Sequence, residues 1–397
     1  MFFLQDSFNN SIEKISNKFL NKIKYGSLNV IYPSKKSLEY NGEKDGCNAN
    51  IVIHNFKFFS KVFKKGSIGF AESYIDGDFS TSNLTNLLML AFQNEKYFLS
   101  NIKSNWIYHS FAKFKHYLKE NTKLQSKKNI KYHYDLGNEF YKKWLDKSMT
   151  YSSGIFSEEK ENLTEAQIKK YNQICDILKL NNKSNLLEIG CGWGGFSTYV
   201  AKKFGCKVDA ITISKKQYEY TSNKIQLEGL NDKVKVLLKD YRDISYKYSN
   251  IASIEMFEAV GKKYWHTFFN TIKNSLTPNG LSALQIITID ENRVHNYQTK
   301  PDFIQQYIFP GGMLPSKSQL NHFSNKAGLK IEEYKSFNKS YAKTLNIWNE
   351  KFQLSWDELS NMGFNLRFKR MWEYYFSYCE TGFLSGSTDV SQFIIQK

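Results

Sequence analysis

In the stretch LLEIGCGWGGFS, residues 186–197, a carboxylate, Glu188, stands two residues ahead of a run of alternating glycines. An apolar strand enters the loop and a helix leaves it, and Gly190, Gly192 and Gly195 fit G-x-G-x-x-G. Three ligands suit such a turn. A phosphate cradle requires Lys-Ser or Lys-Thr after the last glycine, where Phe196-Ser197 stands. A dinucleotide site favours an acidic residue ending the second strand, about 20 residues on. That strand, KVDAITIS, ends in Thr212, Ile213 and Ser214, and Asp209 comes too early. Glu188 would repel a pyrophosphate and attract a ligand carrying an ammonium or sulfonium. Glu188, Gly190, Gly192 and Gly194 spell E-x-G-x-G-x-G, so the loop is expected to hold a cationic nucleoside ligand, S-adenosylmethionine.

Other chemistry-bearing groups gather at strand ends. Glu258 in EMFEAVG follows the fourth strand, Gln285 lies on the apolar fifth, and Tyr241-Arg242 follows the third, where an aromatic ring can flank adenine. Each has a structural alternative: Glu258 as a helix cap, Gln285 as a satisfied buried amide. Asp240 either accepts from the adenine amino group or ends its strand. The five cysteines form no C-x-x-C pair and have no His at ligand spacing, so neither a metal site nor a disulfide framework is expected.

The elements that position these groups follow from hydropathy patterning. Strands NLLEIG, KVDAITIS, KVKVLLKD, NIASIEM and GLSALQIITI alternate with helix-like stretches, the signature of a doubly wound parallel α/β sheet. GLKIEEYKSF and VSQFIIQK are expected at its edges. Residues 1–115 read as a smaller mixed α+β domain, 116–130 as a polar, lysine-rich linker, and 131–397 as the catalytic domain. Leu4, Phe8, Ile12, Ile15, Phe19 and Ile23 repeat at three- and four-residue steps with Lys14, Lys18, Lys22 and Lys24 around them. Such a helix suits either core packing or a membrane interface.

The net charge is +17, and only four of 55 basic residues are Arg. A field of lysine point charges favours anionic partners, nucleic acid or an anionic membrane face, unless it is compositional drift. The alternative of a nucleic-acid methyltransferase lacks its expected tetrapeptide near the fourth strand, where EMFEAVG stands. No apolar run approaches a membrane span, and Asp6 interrupts any signal-like start.

Taken in order, HYDLGNEFYKKWLDKSMTYSSGIF (133–156), the glycine loop, ITISKKQ (211–217), DYRD (240–243), EMFEAVG (255–261), YIFPGGMLPS (307–316), SYAKTLNIW (340–348) and YYFSYCETGF (374–383) resemble the cyclopropane fatty acid synthase family. That family includes the mycolic acid cyclopropane synthases. GSIGFAESYIDGDF extends the likeness to the N-terminal domain of longer, phospholipid-acting members.

The resemblance implies a Rossmann-like methyltransferase fold and transfer of a one-carbon unit from S-adenosylmethionine to the double bond of an unsaturated acyl chain. It implies cyclopropane closure with bicarbonate as base. The bicarbonate contacts map to Glu258, Tyr341, Gln285, Ile287 and Ser153, and Cys379 matches a cysteine long treated as an active-site residue. Cofactor contacts map to Tyr151, Ser152, the loop glycines, Thr212 through Gln217 (Ser214 included) and Tyr241-Arg242. Phospholipid-acting members carry Cys and His where Ser153 and Gln285 stand, and a displaced base would leave a methyl or methylene branch in place of a ring. A small-molecule N-methyltransferase is the nearest rival, since amine methylation needs no such base. The expected partners are an anionic phospholipid surface and its unsaturated chains, with no nucleic acid, and a homodimer is the assembly allowed for. The expected location is cytoplasmic, at the inner membrane face.

Overall fold

A computed structural model describes residues 13–99, 121–134 and 136–397, which fall into two compact units. The first takes in the N-terminal segment to Ala112 together with Trp356–Ser385. Its four-stranded sheet has the order β2-β1-β3-β4, from β1 (Tyr25–Ile31), β2 (Ser37–Asn41), β3 (Lys44–Ile53) and β4 (Phe79–Ser80). Period-two patterning turns Leu28, Val30, Ile51 and Ile53 into a core with Phe58, Phe59, Phe79, Leu87 and Leu90.

Helix Leu366–Leu384, assigned by sequence to the catalytic part, packs in this unit on helices Ser67–Ile75 and Leu84–Gln93. Tyr74 donates to Glu373 at 2.9 Å and Thr85 to Glu380 at 2.7 Å. Of the expected amphipathic helix, Leu4, Phe8 and Ile12 lie outside the described residues. Residues 13–20 are helical, yet Ile15 is 56% exposed while Glu13 and Ser16 are buried. Ser34 donates to the Glu13 carboxylate at 2.6 Å and Ser16 lies 3.0 Å from the Tyr32 hydroxyl, so hydrogen bonding, not the apolar stripe, sets this turn's inward face.

The second unit, Lys113–Ser355 with Gly386–Lys397, is built on a seven-stranded sheet of order β10-β11-β9-β8-β5-β6-β7. Its strands are β5 (Asn185–Ile189), β6 (Lys207–Thr212), β7 (Val234–Leu238), β8 (Tyr248–Ile254), β9 (Leu276–Ile289), β10 (Lys330–Ser336) and β11 (Thr388–Gln396). Strands β5 to β9 run parallel. The chain winds outward from β5 through β6 to β7, then returns to the other side of β5 as β8. Ligands of doubly wound sheets gather at this reversal, beyond the carboxyl ends of β5 and β8.

Two expectations change. VSQFIIQK is no edge strand: β11 inserts antiparallel between β9 and β10, because its run Val390–Phe393 is buried and both its edges are paired. The supposed linker is structured from residue 121 onward, with helix Lys123–Tyr134. Asn121 donates to the Gly311 carbonyl at 2.7 Å, and its own carbonyl accepts from Arg242 at 3.2 Å.

Candidate active site

The glycine loop opens directly from β5. Gly190 and Gly192 have φ of 84° and 53°, a region L side chains enter at a cost, and a Cβ on Gly190 would meet Met256 Cγ at 2.7 Å. Glu188, 3% exposed, accepts from the Ser197 hydroxyl, and burial pushes its carboxyl up to about 7. One cavity is lined by Glu188, Gly190, Gly192, Tyr151, Ser152, Thr212, Ile213, Gln217, Tyr241 and Arg242. The lining suits a cation-bearing nucleoside, with an acidic group at the loop, and Lys239 and Arg242 also line the cavity.

The remaining cofactor candidates have visible local work. Gly194, at φ 73°, caps helix Gly195–Phe204, and Ser214 caps helix Lys215–Leu227 by accepting from the Gln217 N–H at 3.4 Å. Neither lines the cavity. Thr212 donates to Gln217 at 2.9 Å. Asp240 is gripped by Arg242, whose Nε and Nη2 donate at 2.8 and 2.7 Å. The guanidinium holds that carboxyl below its usual range, against burial, and fixes the turn that carries Tyr241.

At the end of β8 the anion-binding set assembles, around a residue the sequence reading passed over. Glu255 Oε1 accepts from the Ser153 N–H at 2.9 Å and the Gln285 side-chain amide at 2.7 Å, and Oε2 accepts from the Tyr341 hydroxyl at 2.5 Å. Glu258 stands beside this hub, accepting the Ile287 N–H at 2.5 Å on Oε1, while its Oε2 is buried without a partner. It is no helix cap: it sits within the 3₁₀ turn Phe257–Ala259. Burial, then the Glu255 charge, drive the Glu258 carboxyl up to about 8. Glu255 is also raised by burial, opposed by the Tyr341 hydrogen bond and Lys170.

Lys170, another residue the sequence reading did not single out, is fully buried on helix Leu163–Leu178 and donates to Ser152 Oγ at 2.6 Å. Burial pulls its ammonium down to about 7 against the pull of Glu255, Asp146 and Glu188. An acidic residue directly ending the fourth strand of a doubly wound sheet was the available signal for Glu255. Nothing in the polar faces of a helix marks Lys170, nor Asn121, which lines the cavity from the supposed linker.

Bicarbonate does not fit this arrangement. The Ser153 N–H, the Gln285 amide and the Tyr341 hydroxyl are spent on Glu255, and the Ile287 N–H on Glu258. A further anion would face two carboxyl groups with its donors engaged.

An aromatic wall joins the cofactor loop to the carboxylates. Trp193 packs on Tyr141 with centroids 4.8 Å apart, Tyr141 on Tyr151 at 5.6 Å, Tyr151 on Trp348 at 5.3 Å, and Trp348 on Tyr341 at 6.2 Å. Glu255 and Tyr151 line the same cavity as the glycine loop. Cys379 is half-buried on helix Leu366–Leu384, which belongs to the other unit.

A family model described as mycolic acid cyclopropane synthetase matches residues 121–393. The tuberculostearic acid methyltransferase of Mycobacterium tuberculosis is 33% identical over 364 residues, which span 89% of this chain and 84% of that protein. The cyclopropane-fatty-acyl-phospholipid synthase of Escherichia coli is 32% identical over 365 residues, 88% of each chain. A mycolic acid cyclopropane synthase solved in complex with SAH and CTAB matches with a TM-score of 0.64 and 28% identity, over 68% of this chain and 98% of that one. Since the family model spans well over half of the sequence and the glycine loop and carboxylate cluster both lie within it, the chain belongs to the mycolic acid cyclopropane synthetase family of S-adenosylmethionine-dependent methyltransferases.

Proposed function

We propose that the protein transfers the cofactor's methyl group to a double bond in an unsaturated acyl chain of a membrane phospholipid and then removes a proton, leaving one added carbon on the chain as a ring or a branch. The observation that carries this reading is a single cavity holding both the E-x-G-x-G loop and a carboxylate fixed by three donors, flanked by aromatic rings. An amine substrate brings its own lone pair and needs no proton taken from the added methyl.

S-adenosylmethionine, when bound, supplies an electrophilic methyl. Glu188 is placed to attract its ammonium, Thr212 and Gln217 to meet its ribose, and Tyr241 to flank its adenine. An alkene is a poor nucleophile and becomes a carbocation on methylation. Tyr151 and Trp193, which line the cavity, offer ring faces to that charge and exclude water that would trap it, and Trp348 packs behind Tyr151. Attachment to the membrane is peripheral, at the cytoplasmic face: among the described residues no helix is long and apolar enough to cross a bilayer, and the +17 charge favours anionic headgroups.

The test is mass spectrometry of phospholipids from a host without such an enzyme, fed methyl-labelled methionine. Expression should add one labelled CH₂ to unsaturated chains. Unchanged acyl chains beside a methylated amine headgroup or metabolite would replace this reading with the N-methyltransferase.

A further inference from the structure

We infer that Glu255 is the base of this reaction, a side-chain carboxylate standing where the family resemblance places bicarbonate. The inference rests on the function proposed above. Three of the five groups mapped as bicarbonate contacts, Ser153, Gln285 and Tyr341, donate instead to Glu255, from chain positions 102, 30 and 86 residues away. Three donors arranged around a carboxylate would bind a planar, three-atom O–C–O anion equally well, so the side chain satisfies the requirement internally.

A second observation is independent of those bonds. Glu255 has φ of 50°, the left-handed region that favours glycine, in a partly buried position directly after β8. Glycine would relax this backbone at no steric cost. A carboxylate held in disfavoured backbone where it lines a cavity points to function, since the strain does not aid folding. Glu255 also lines the cofactor cavity with Gly190 and Tyr151, so it faces the space where the methyl is delivered.

The step balances without a further reagent. The methyl's bond to sulfur breaks with its electron pair going to sulfur, and the alkene pair forms the new C–C bond, which leaves the adjacent carbon cationic. Glu255 then takes one proton from the added methyl. The released C–H pair closes onto the cationic carbon as a cyclopropane, or, after a hydride shift from the methylated carbon to the cationic carbon has moved the charge beside the methyl, becomes the double bond of a methylene branch. The proton leaves Glu255 for water as product departs.

Two variants test this in buffer stripped of carbon dioxide, with sodium bicarbonate as the added probe and labelled acyl product as the readout. Wild-type turnover should be unchanged by bicarbonate. Glu255→Gly, which vacates the three donors and relieves the backbone, should keep the thermal shift given by S-adenosylmethionine and lose about 10²-fold or more in turnover, the scale of general acid–base catalysis. Bicarbonate should then restore much of that activity. Glu255→Gln keeps the space filled, so it should be equally impaired and not rescued. A wild type that requires bicarbonate, or a Glu255→Gly or Glu255→Gln enzyme with full turnover in stripped buffer, overturns the inference while leaving the methyl transfer intact. Absence of acyl product from the wild type on any phospholipid overturns the functional reading, and the inference with it.

Discussion

At the residue scale, two carboxyl groups three positions apart in EMFE divide one charge between them. Glu255 has three donors to stabilise its ionised form, and Glu258 has one, so the proton resides on Glu258. With its folded value near 8 against 4.5 for a free side chain, Glu258 binds a proton in the native state that the unfolded chain has already released. Its stabilising contribution is therefore complete below pH 4.5 and is lost as pH rises to 8. Glu258→Gln mimics the neutral carboxyl and removes this dependence. Its unfolding free energy should fall less than that of the wild type between pH 5 and 9, with a gap on the order of a few kcal/mol at the alkaline end. Lys170 titrates in the opposite sense, gaining stability above about 7, but it is common to both proteins and drops out of the comparison. Parallel melting curves would show that Glu258 ionises freely.

At the element scale, strand register does what no single residue can. Pairing of β8 with β9 sets Ile254 opposite Gln285, and the Glu255 N–H donates to the Gln285 carbonyl at 2.8 Å. On the far side Gln392 of β11 pairs with Gln285, and its side-chain amide donates to Gln285 Oε1 at 3.1 Å, which orients the Gln285 NH₂ toward Glu255. The β5 loop has a comparable division of labour. Gly190→Ala should destabilise the fold by about 2 kcal/mol or more, from left-handed backbone and the clash with Met256 together. A Cβ on Gly192 meets nothing within 4 Å, and Asn tolerates its backbone. Gly192→Asn should therefore melt within about 1 kcal/mol of wild type yet show a reduced thermal shift with S-adenosylmethionine, because its side chain enters the cofactor cavity. Equal loss of stability in the two variants would show that the loop needs glycine for folding alone.

At the scale of the whole molecule, the excess of lysine gives a long-range field without the forked geometry that grips a particular phosphate. The proposed attraction to anionic bilayers is then expected to be nonspecific and screened, with a range that shrinks from about 8 Å at physiological ionic strength to about 3 Å at 1 M. Co-sedimentation with vesicles containing anionic phospholipid should fall severalfold across that salt range, and binding to zwitterionic vesicles should be weak throughout. Binding indifferent to salt and headgroup charge would assign the lysines to composition and leave attachment to apolar contacts.

The cofactor class and the parallel sheet were legible in the sequence because each is written in contiguous chain. A strand, its glycine turn and the next helix occupy residues 185–204, and buried parallel strands are short apolar runs whatever their neighbours. The end of β8 was legible only as a place, since the motif there holds two glutamates and the family likeness selected Glu258. Which one gathers the donors depends on where Ser153, Gln285 and Tyr341 arrive from distant segments, and that is a property of packing. The same holds for Lys170, a helical lysine like its exposed neighbours until the helix docks and buries it, and for Leu366–Leu384, whose apolar face fits either unit by pattern. Local patterning states which face of an element is apolar; only the tertiary structure states what that face meets, and so which carboxylate loses its water and acquires three donors in exchange.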